Sequence, residues 1–158
     1  SGCIAVTLAS KLPQAQIWGV DISAVALEQA RRNATRHGVA IELRGGSYFE
    51  PLSGERFDLI VANPPYIRSA DIADLQPEVR QFEPLSALDG GSDGLDPYRQ
   101  MIPSASEHLS PGGWLLFEVG YDQAPLVRDL FHQQGGYGEL FTTKDLQGIE
   151  RVVGGRLL

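Results

Sequence analysis

Phe57-Asp58-Leu59-Ile60-Val61-Ala62 is an almost unbroken apolar run of strand length, and it stops at Asn63-Pro64-Pro65-Tyr66. Near-continuous apolarity is the pattern of a strand covered on both faces, as in a parallel sheet, and not the alternation of a sheet with one wet face. Two consecutive prolines then fix two φ angles and remove two backbone donors, so the strand ends there. The end of such a strand is the edge at which open α/β sheets bind ligands.

The segments on either side fit that reading. Val6 to Leu12 reads as the early part of a helix that begins after Ser1-Gly2, and Ile17 to Val20 as a short buried strand ending at Asp21. A second helix follows, with Ser23 as its cap, Val25, Leu27, Ala30 and Ala34 on its apolar face and Gly38 as its stop. Ile41 to Leu43 is another short strand. Pro64 to Pro97 is polar, carries Pro77, Pro84 and the run Asp89-Gly90-Gly91-Ser92-Asp93-Gly94, and shows weak helical pattern only around Ala70 to Val79. Long irregular segments of this kind in a compact domain are usually functional or disordered. Tyr98 to Leu109 reads as a helix, Pro111-Gly112-Gly113 as a tight turn, Trp114 to Val119 as a buried strand, and Ala124 to Gln134 as a helix ended by Gly135-Gly136. The strands at Glu139–Thr143 and Arg151–Leu157 are joined by a link too short for a parallel crossover, so this pair is antiparallel. The sum is a doubly wound, Rossmann-like α/β domain over residues 1–158 with a C-terminal antiparallel hairpin. Folds of this type open with a strand and a glycine-rich turn. Of these only Ser1-Gly2 is present, and the chain reads as lacking the first strand and most of that loop.

Composition removes several function classes. No apolar run approaches the roughly 18 residues of a membrane span. A single cysteine, Cys3, allows neither an intrachain disulfide nor a cysteine-based zinc site, which suits a reducing cytosol and a cytoplasmic protein. His37, His108 and His132 are scattered over helices as surface residues without metal-ligand spacing, so no metal is expected. A net charge of −7 weighs against nucleic acid as substrate, because sequence-independent grip on phosphates comes from lysines and arginines.

Three places carry candidate chemistry. Asp21 lies 19 positions after Gly2 (21 − 2), near the roughly 20-residue interval at which an acidic residue meets the ribose hydroxyls of a bound nucleotide. Its plainer role would be a strand-end acid or helix cap, and the spacing fits NAD as well as S-adenosylmethionine. Ser47-Tyr48-Phe49 follows the next strand at the same edge; the Tyr48 ring could lie on an adenine face while Phe49 turns to the core, or both could simply pack under a loop. The third is Asn63-Pro64-Pro65-Tyr66. The lone pair of an amide or aryl amino nitrogen is delocalised, so a site that alkylates it must hold its hydrogens and aim the lone pair. The Asn63 side-chain carbonyl and the Pro64 backbone carbonyl are two acceptors suited to an NH2 group. Pro64 and Pro65 restrict the backbone that presents them, and the Tyr66 ring can stack on a planar group. As a plainer alternative, the tetrapeptide is a turn that ends a strand.

Asn63-Pro64-Pro65-Tyr66-Ile67, Val79-Arg80-Gln81-Phe82-Glu83-Pro84, Ala87-Leu88-Asp89-Gly90-Gly91 and Asp93-Gly94-Leu95-Asp96-Pro97-Tyr98-Arg99 together resemble the release-factor glutamine methyltransferases. Ser1-Gly2-Cys3-Ile4-Ala5 resembles the end of that family's cofactor loop, and Glu150-Arg151-Val152 its closing strand. The resemblance implies methyl transfer from S-adenosylmethionine, leaving S-adenosylhomocysteine, to the side-chain amide nitrogen of the glutamine in the Gly-Gly-Gln motif of peptide chain release factors. It places Ser1 and Gly2 at the cofactor loop, Asp21 at the ribose, Ser47 and Tyr48 beside the adenine, and Asn63 to Tyr66 around the substrate amide, with Asn63 near the cofactor as well. The family's usual acidic residue at the adenine is replaced here by Ser47. The competing readings are the sister enzyme acting on a ribosomal-protein glutamine, a DNA or RNA amino-group methyltransferase with a similar tetrapeptide, and a nucleotide-binding module without turnover. Arg80-Gln81-Phe82-Glu83-Pro84 favours the release factor among these.

Overall fold

The alternation of helix and strand runs from Cys3 to Leu157 in a computed structural model that describes residues Ser1–Leu158. The chain divides into two compact units, Ser1–Gly54 and Glu55–Leu158.

The first unit holds α1 (Cys3–Lys11), β1 (Trp18–Asp21), α2 (Ala24–His37) and β2 (Glu42–Gly45). β1 and β2 pair in parallel, from Trp18 opposite Glu42 to Asp21 opposite Gly45. The Ser23 hydroxyl accepts from the Ala26 amide at 3.2 Å and caps α2, which ends at Gly38 with φ 65°. Leu27, Ala30 and Ala34 form its buried stripe, while Ala5, Val6 and Ala9 are the buried residues of α1. Val25, expected on the same face of α2, is instead 81% exposed. It precedes Leu27 by two residues, about 200° around a helix, and therefore points the other way.

The second unit contains β3 (Phe57–Ala62), α3 (Pro77–Phe82), α4 (Asp96–His108), β4 (Leu109–Glu118), α5 (Ala124–Gln134), β5 (Tyr137–Lys144) and β6 (Glu150–Leu157). Its sheet has the order β3-β4-β6-β5, with β3 and β4 parallel and β6 antiparallel to both neighbours. The closing hairpin is antiparallel, as the short link requires, and it returns β6 to the middle of the sheet. The core joins Tyr98, Ile102 and Ala105 of α4, Val127 and Phe131 of α5, Leu115 and Phe117 of β4, and Val153 of β6. Tyr98 meets Phe117 edge to face at 5.2 Å, and Phe131 meets Tyr137 at 5.0 Å, the offsets that aromatic quadrupoles favour.

Two local expectations change. β3 is an edge strand of its sheet, with Leu59 41% exposed, so its apolar run is not matched by burial on both faces here. β4 starts earlier than expected, at Leu109, so that Pro111-Gly112-Gly113 lies within it as a bulge, where the register with β3 jumps from Leu109 opposite Phe57 to Trp114 opposite Leu59. Gly112 has φ 78°, and a side chain at Gly113 would press on the Ser110, Phe57 and Asp58 carbonyls, at 2.9–3.2 Å from its Cβ. Glycine at both positions lets the excess residues fold away from the ladder.

The long segment after β3 is short turns in place of one weak helix. A 3₁₀ turn at Ser69–Asp74, α3 and a 3₁₀ turn at Leu85–Ala87 follow one another without a buried residue among them. At the base of this loop the Ile67 amide donates to the Leu88 carbonyl at 2.9 Å, and the Gly90 amide to the Ile67 carbonyl at 2.8 Å.

Gly154 and Gly155 keep the centre of β6 bare so that Phe141 lies over one and Phe131 and Leu140 over the other. A methyl group at Gly155 would stand 2.8 Å from Leu140 and 2.9 Å from the Phe131 ring. Gly155→Ala should destabilise the fold by about 1–3 kcal/mol through overpacking, read as a lower urea midpoint with an unchanged slope.

Candidate functional site

In the first unit the expected cofactor-side residues lie on well-defined backbone. Gly2 has φ 69° immediately before α1, and a Cβ there would overlap the Ala30 side chain at 2.6 Å, so only glycine brings the chain this close to α2. The Asn33 amide donates to the Ser1 carbonyl at 2.9 Å and ties the same segment to α2. The first turn of α1 carries no acidic residue and no side-chain cap, which leaves its amides free for an acceptor from outside the helix. Asp21 ends β1; one carboxylate oxygen accepts from the Ser23 amide at 2.9 Å, and the other accepts no hydrogen bond from the chain. The Gly46 amide donates to the Asp21 carbonyl at 3.2 Å, which sets the start of the Ser47-Tyr48 turn beside it.

Tyr48 holds a left-handed φ of 46° with a half-buried ring, and burial raises its phenol pKa. Phe49, expected in the core, is also only half-buried. The Ser47 amide donates to the Glu50 carboxylate at 3.1 Å, so an acidic group stands next to Ser47 although the residue itself is neutral. A free carboxylate oxygen, a glycine-tight approach to a helix N-terminus and a half-buried ring fit a nucleoside-bearing cofactor.

In the second unit Asn63 to Tyr66 leave the sheet at the carboxyl ends of the parallel pair β3 and β4. Asn63 is exposed and Pro64 is buried, and no hydrogen bond of the chain is donated to the Asn63 side-chain carbonyl or the Pro64 carbonyl. Both acceptors remain available. From Tyr66 onward the backbone is tied on every side. The Gln123 amide nitrogen donates to the Tyr66 carbonyl at 2.9 Å, and the Ser69 amide donates to the Gly91 carbonyl at 2.9 Å. A Cβ on Gly90 would stand 2.8 Å from Tyr66 Cα, so the 90–94 segment packs on the tetrapeptide only because it is bare there.

The acidic, glycine-rich run is what holds this segment in shape. Asp89 accepts from the Ser69 hydroxyl at 2.7 Å and from the Gly91 amide at 2.9 Å, and both bonds lower its pKa. Arg99 forms an ion pair with Asp93 and a 3.0 Å pair with Asp96. Tyr98 donates to the Glu118 carbonyl at 2.9 Å, and burial, with Tyr66 and Glu118 nearby, drives its phenol pKa far up. Arg68 and Asp122 pair at 2.8 Å, but both are well exposed and solvent screens them. Asn33, Glu50 and Gln123 were not singled out from sequence as site residues. Nothing local marks Asn33 or Gln123, since each acts through a backbone group distant in the chain, whereas Glu50 lies three residues from the Ser47 amide that it accepts from.

Residues 1–77 match the family model described as methyltransferase small domain. The chain is 57% identical over 99% of its length to a release factor glutamine methyltransferase of Geobacter sulfurreducens, and 51% identical over 97% to one of Gloeobacter violaceus. It spans only 55% and 54% of those two relatives. Among solved structures, a methyltransferase from Pyrococcus furiosus superposes with a TM-score of 0.67 over 95% of this chain and 66% of its own, at 19% identity. That likeness shows the Rossmann-like methyltransferase fold.

The guanidinium of Arg99 pulls the Asp93 carboxyl down to about 2. Because the folded value lies below the ordinary one of 3.8, the pair contributes fully above about pH 4 and is lost as the pH falls through about 2. NMR titration should find Asp93 the more acidic for its partner, and Arg99→Met should return it toward ordinary carboxylate values.

Proposed function

We propose that this chain, related along its whole length to release factor glutamine methyltransferases, forms the methyltransferase domain of a cytoplasmic enzyme that methylates the side-chain amide nitrogen of a release-factor glutamine. The observation that carries the reading is the pair of unoccupied acceptors at Asn63 and Pro64, presented at the carboxyl end of β3 by a segment tied from the Tyr66 carbonyl onward.

S-Adenosylmethionine, when bound, supplies a methyl group already activated on a sulfonium, so that an N–CH3 bond forms as the S–CH3 bond breaks, the amide proton leaves to solvent and S-adenosylhomocysteine remains. Asp21 offers its free oxygen to ribose hydroxyls, Gly2 and the amides that open α1 offer close approach and donors, and Tyr48 offers a ring for the adenine. In the second unit the Asn63 side-chain carbonyl and the Pro64 carbonyl accept the two amide hydrogens, which orients the nitrogen lone pair. Two fixed acceptors also stabilise the positive charge that grows on nitrogen as it is alkylated, and they do so without reorganisation. The Tyr66 ring provides a flat apolar surface for the amide plane. No strong base is required, because positioning lowers the barrier of a reaction whose leaving group is already activated.

Release factor is favoured over other glutamine substrates by the names of the relatives, and the 67–97 loop, whose short helices bury no residue, is the part of this unit most free to meet a protein. The net charge of −7 continues to weigh against a polyanionic substrate. No helix is long and apolar enough to cross a membrane.

Asn63→Ala, made in a polypeptide of the relatives' full length, should leave the calorimetric cofactor affinity within about twofold and lower kcat on release factor by about 10²-fold or more, the scale for losing one preorganised polar contact at the reacting centre. Mass spectrometry of release factor, ribosomal protein and DNA, incubated separately with enzyme and cofactor, should place the added methyl on one release-factor glutamine. Unaltered turnover in Asn63→Ala would sink the mechanism, and methylation confined to another substrate would sink the assignment.

A further inference from the structure

Gln123 is the one polar residue buried in the protein, at 3% exposure, and its side chain uses every hydrogen-bonding group it has. Its amide nitrogen donates to the Tyr66 carbonyl at 2.9 Å and to the Gly94 carbonyl at 3.2 Å, and its carbonyl accepts from the Gly120 amide at 2.9 Å. With two carbonyls on one side and an amide on the other, only one orientation of the carboxamide satisfies all three. Its own backbone is committed as well, the amide to the Gly120 carbonyl at 3.1 Å and the carbonyl to the Val127 amide at 2.9 Å at the start of α5. The residue is therefore anchored by the helix and reaches back to the site.

The three backbone groups it joins come from three separate segments: the tetrapeptide at Tyr66, the glycine-rich run at Gly94 and the exit of β4 at Gly120. Two of them require glycine for the contact, since a Cβ at Gly94 would collide with the Tyr66 carbonyl and the Gln123 amide, and one at Gly120 would stand 2.8 Å from the Gln123 carbonyl. Nothing else donates to the Tyr66 carbonyl.

We infer that Gln123 is a positioning residue for methyl transfer: by holding the Tyr66 carbonyl from behind, it fixes the far end of the tetrapeptide whose near end presents the Asn63 and Pro64 acceptors. This inference rests on the proposed amide-methylating function. Removing the donor leaves the part-buried Tyr66 carbonyl and the buried Gly94 carbonyl without a partner, and relief by rotation of the Tyr66 peptide carries the tetrapeptide with it. Displacements of about 1 Å at a reacting group cost on the order of 10²-fold in rate.

The test uses the full-length enzyme with release factor and S-adenosylmethionine. Gln123→Met keeps the volume and removes all three hydrogen bonds, while Gln123→Glu keeps an acceptor for Gly120 and removes both donors. Tyr137→Phe serves as a control, because it removes a buried hydrogen bond of 2.8 Å to the Ile102 carbonyl in the same unit, away from the tetrapeptide. Both Gln123 variants should lose about 10- to 100-fold in kcat, with the calorimetric Kd for cofactor within about twofold, whereas Tyr137→Phe should lose comparable thermal stability and keep kcat within about twofold. Undiminished kcat in either folded Gln123 variant, or an equal loss in Tyr137→Phe, overturns the positioning role. If Gln123→Met does not fold, Gln123→Glu decides alone by the same criterion. A wild-type enzyme that fails to methylate any glutamine overturns the functional reading and this inference with it, and is recognised by that arm before any variant is compared.

Discussion

β4 is the element on which the second unit depends. It pairs in parallel with β3 on one side and antiparallel with β6 on the other, and its inward side chains, Leu115 and Phe117, are fully buried together with Val119 just beyond its end. A strand hydrogen-bonded on both edges has no freedom to slide, because a one-residue slip would turn Leu115 and Phe117 to the opposite face. Its exit is therefore fixed, and with it Gly120 and the start of α5. The bulge at residues 110–113 absorbs the mismatch at the other end, so that the register beside Leu59 to Ala62 is the one that delivers Asn63 to the sheet edge.

The geometry around the tetrapeptide is built almost entirely from backbone. Ile67, Leu88, Gly90, Gly91 and Gly94 contribute carbonyls and amides, and the side chains that join them, Asp89, Gln123 and Ser69, are short or buried. Backbone packed against backbone leaves no room for Cβ atoms, which is why the run from Gly90 to Gly94 is rich in glycine. Such a framework is stiff, and stiffness has a chemical use: acceptors held in place before the substrate arrives need not be ordered in the transition state. Asn63 is left exposed and without a side-chain partner, as the proposed contact with a substrate amide requires.

On the cofactor side the neutral Ser47 lies against the Glu50 carboxylate, and Gly2 is pressed on Ala30 and tied through Ser1 to Asn33. An acidic oxygen near the Ser47-Tyr48 turn comes from one turn further along the chain, and the helix face that accepts Gly2 is made by alanine.

Local signals sufficed wherever a residue's role was carried by its own neighbours in sequence. Ser23 and Gly38 marked the ends of α2, the short link before Glu150 required an antiparallel hairpin, and Asn63-Pro64-Pro65-Tyr66 after an apolar run marked a strand end. Roles that depend on partners far along the chain were invisible there. Gln123 looks like any helix-start polar residue until Tyr66 and Gly94, 57 and 29 positions earlier, are brought to its carboxamide. Val25 and Leu59 are apolar residues that sequence alone would bury, yet the helix turn and the sheet edge leave them exposed. Propensity and periodicity are short-range and determined the order of elements and the strand end at the tetrapeptide. Which buried hydrogen bonds hold that tetrapeptide still was decided by tertiary packing, because a donor is assigned to an acceptor only when folding removes water from both.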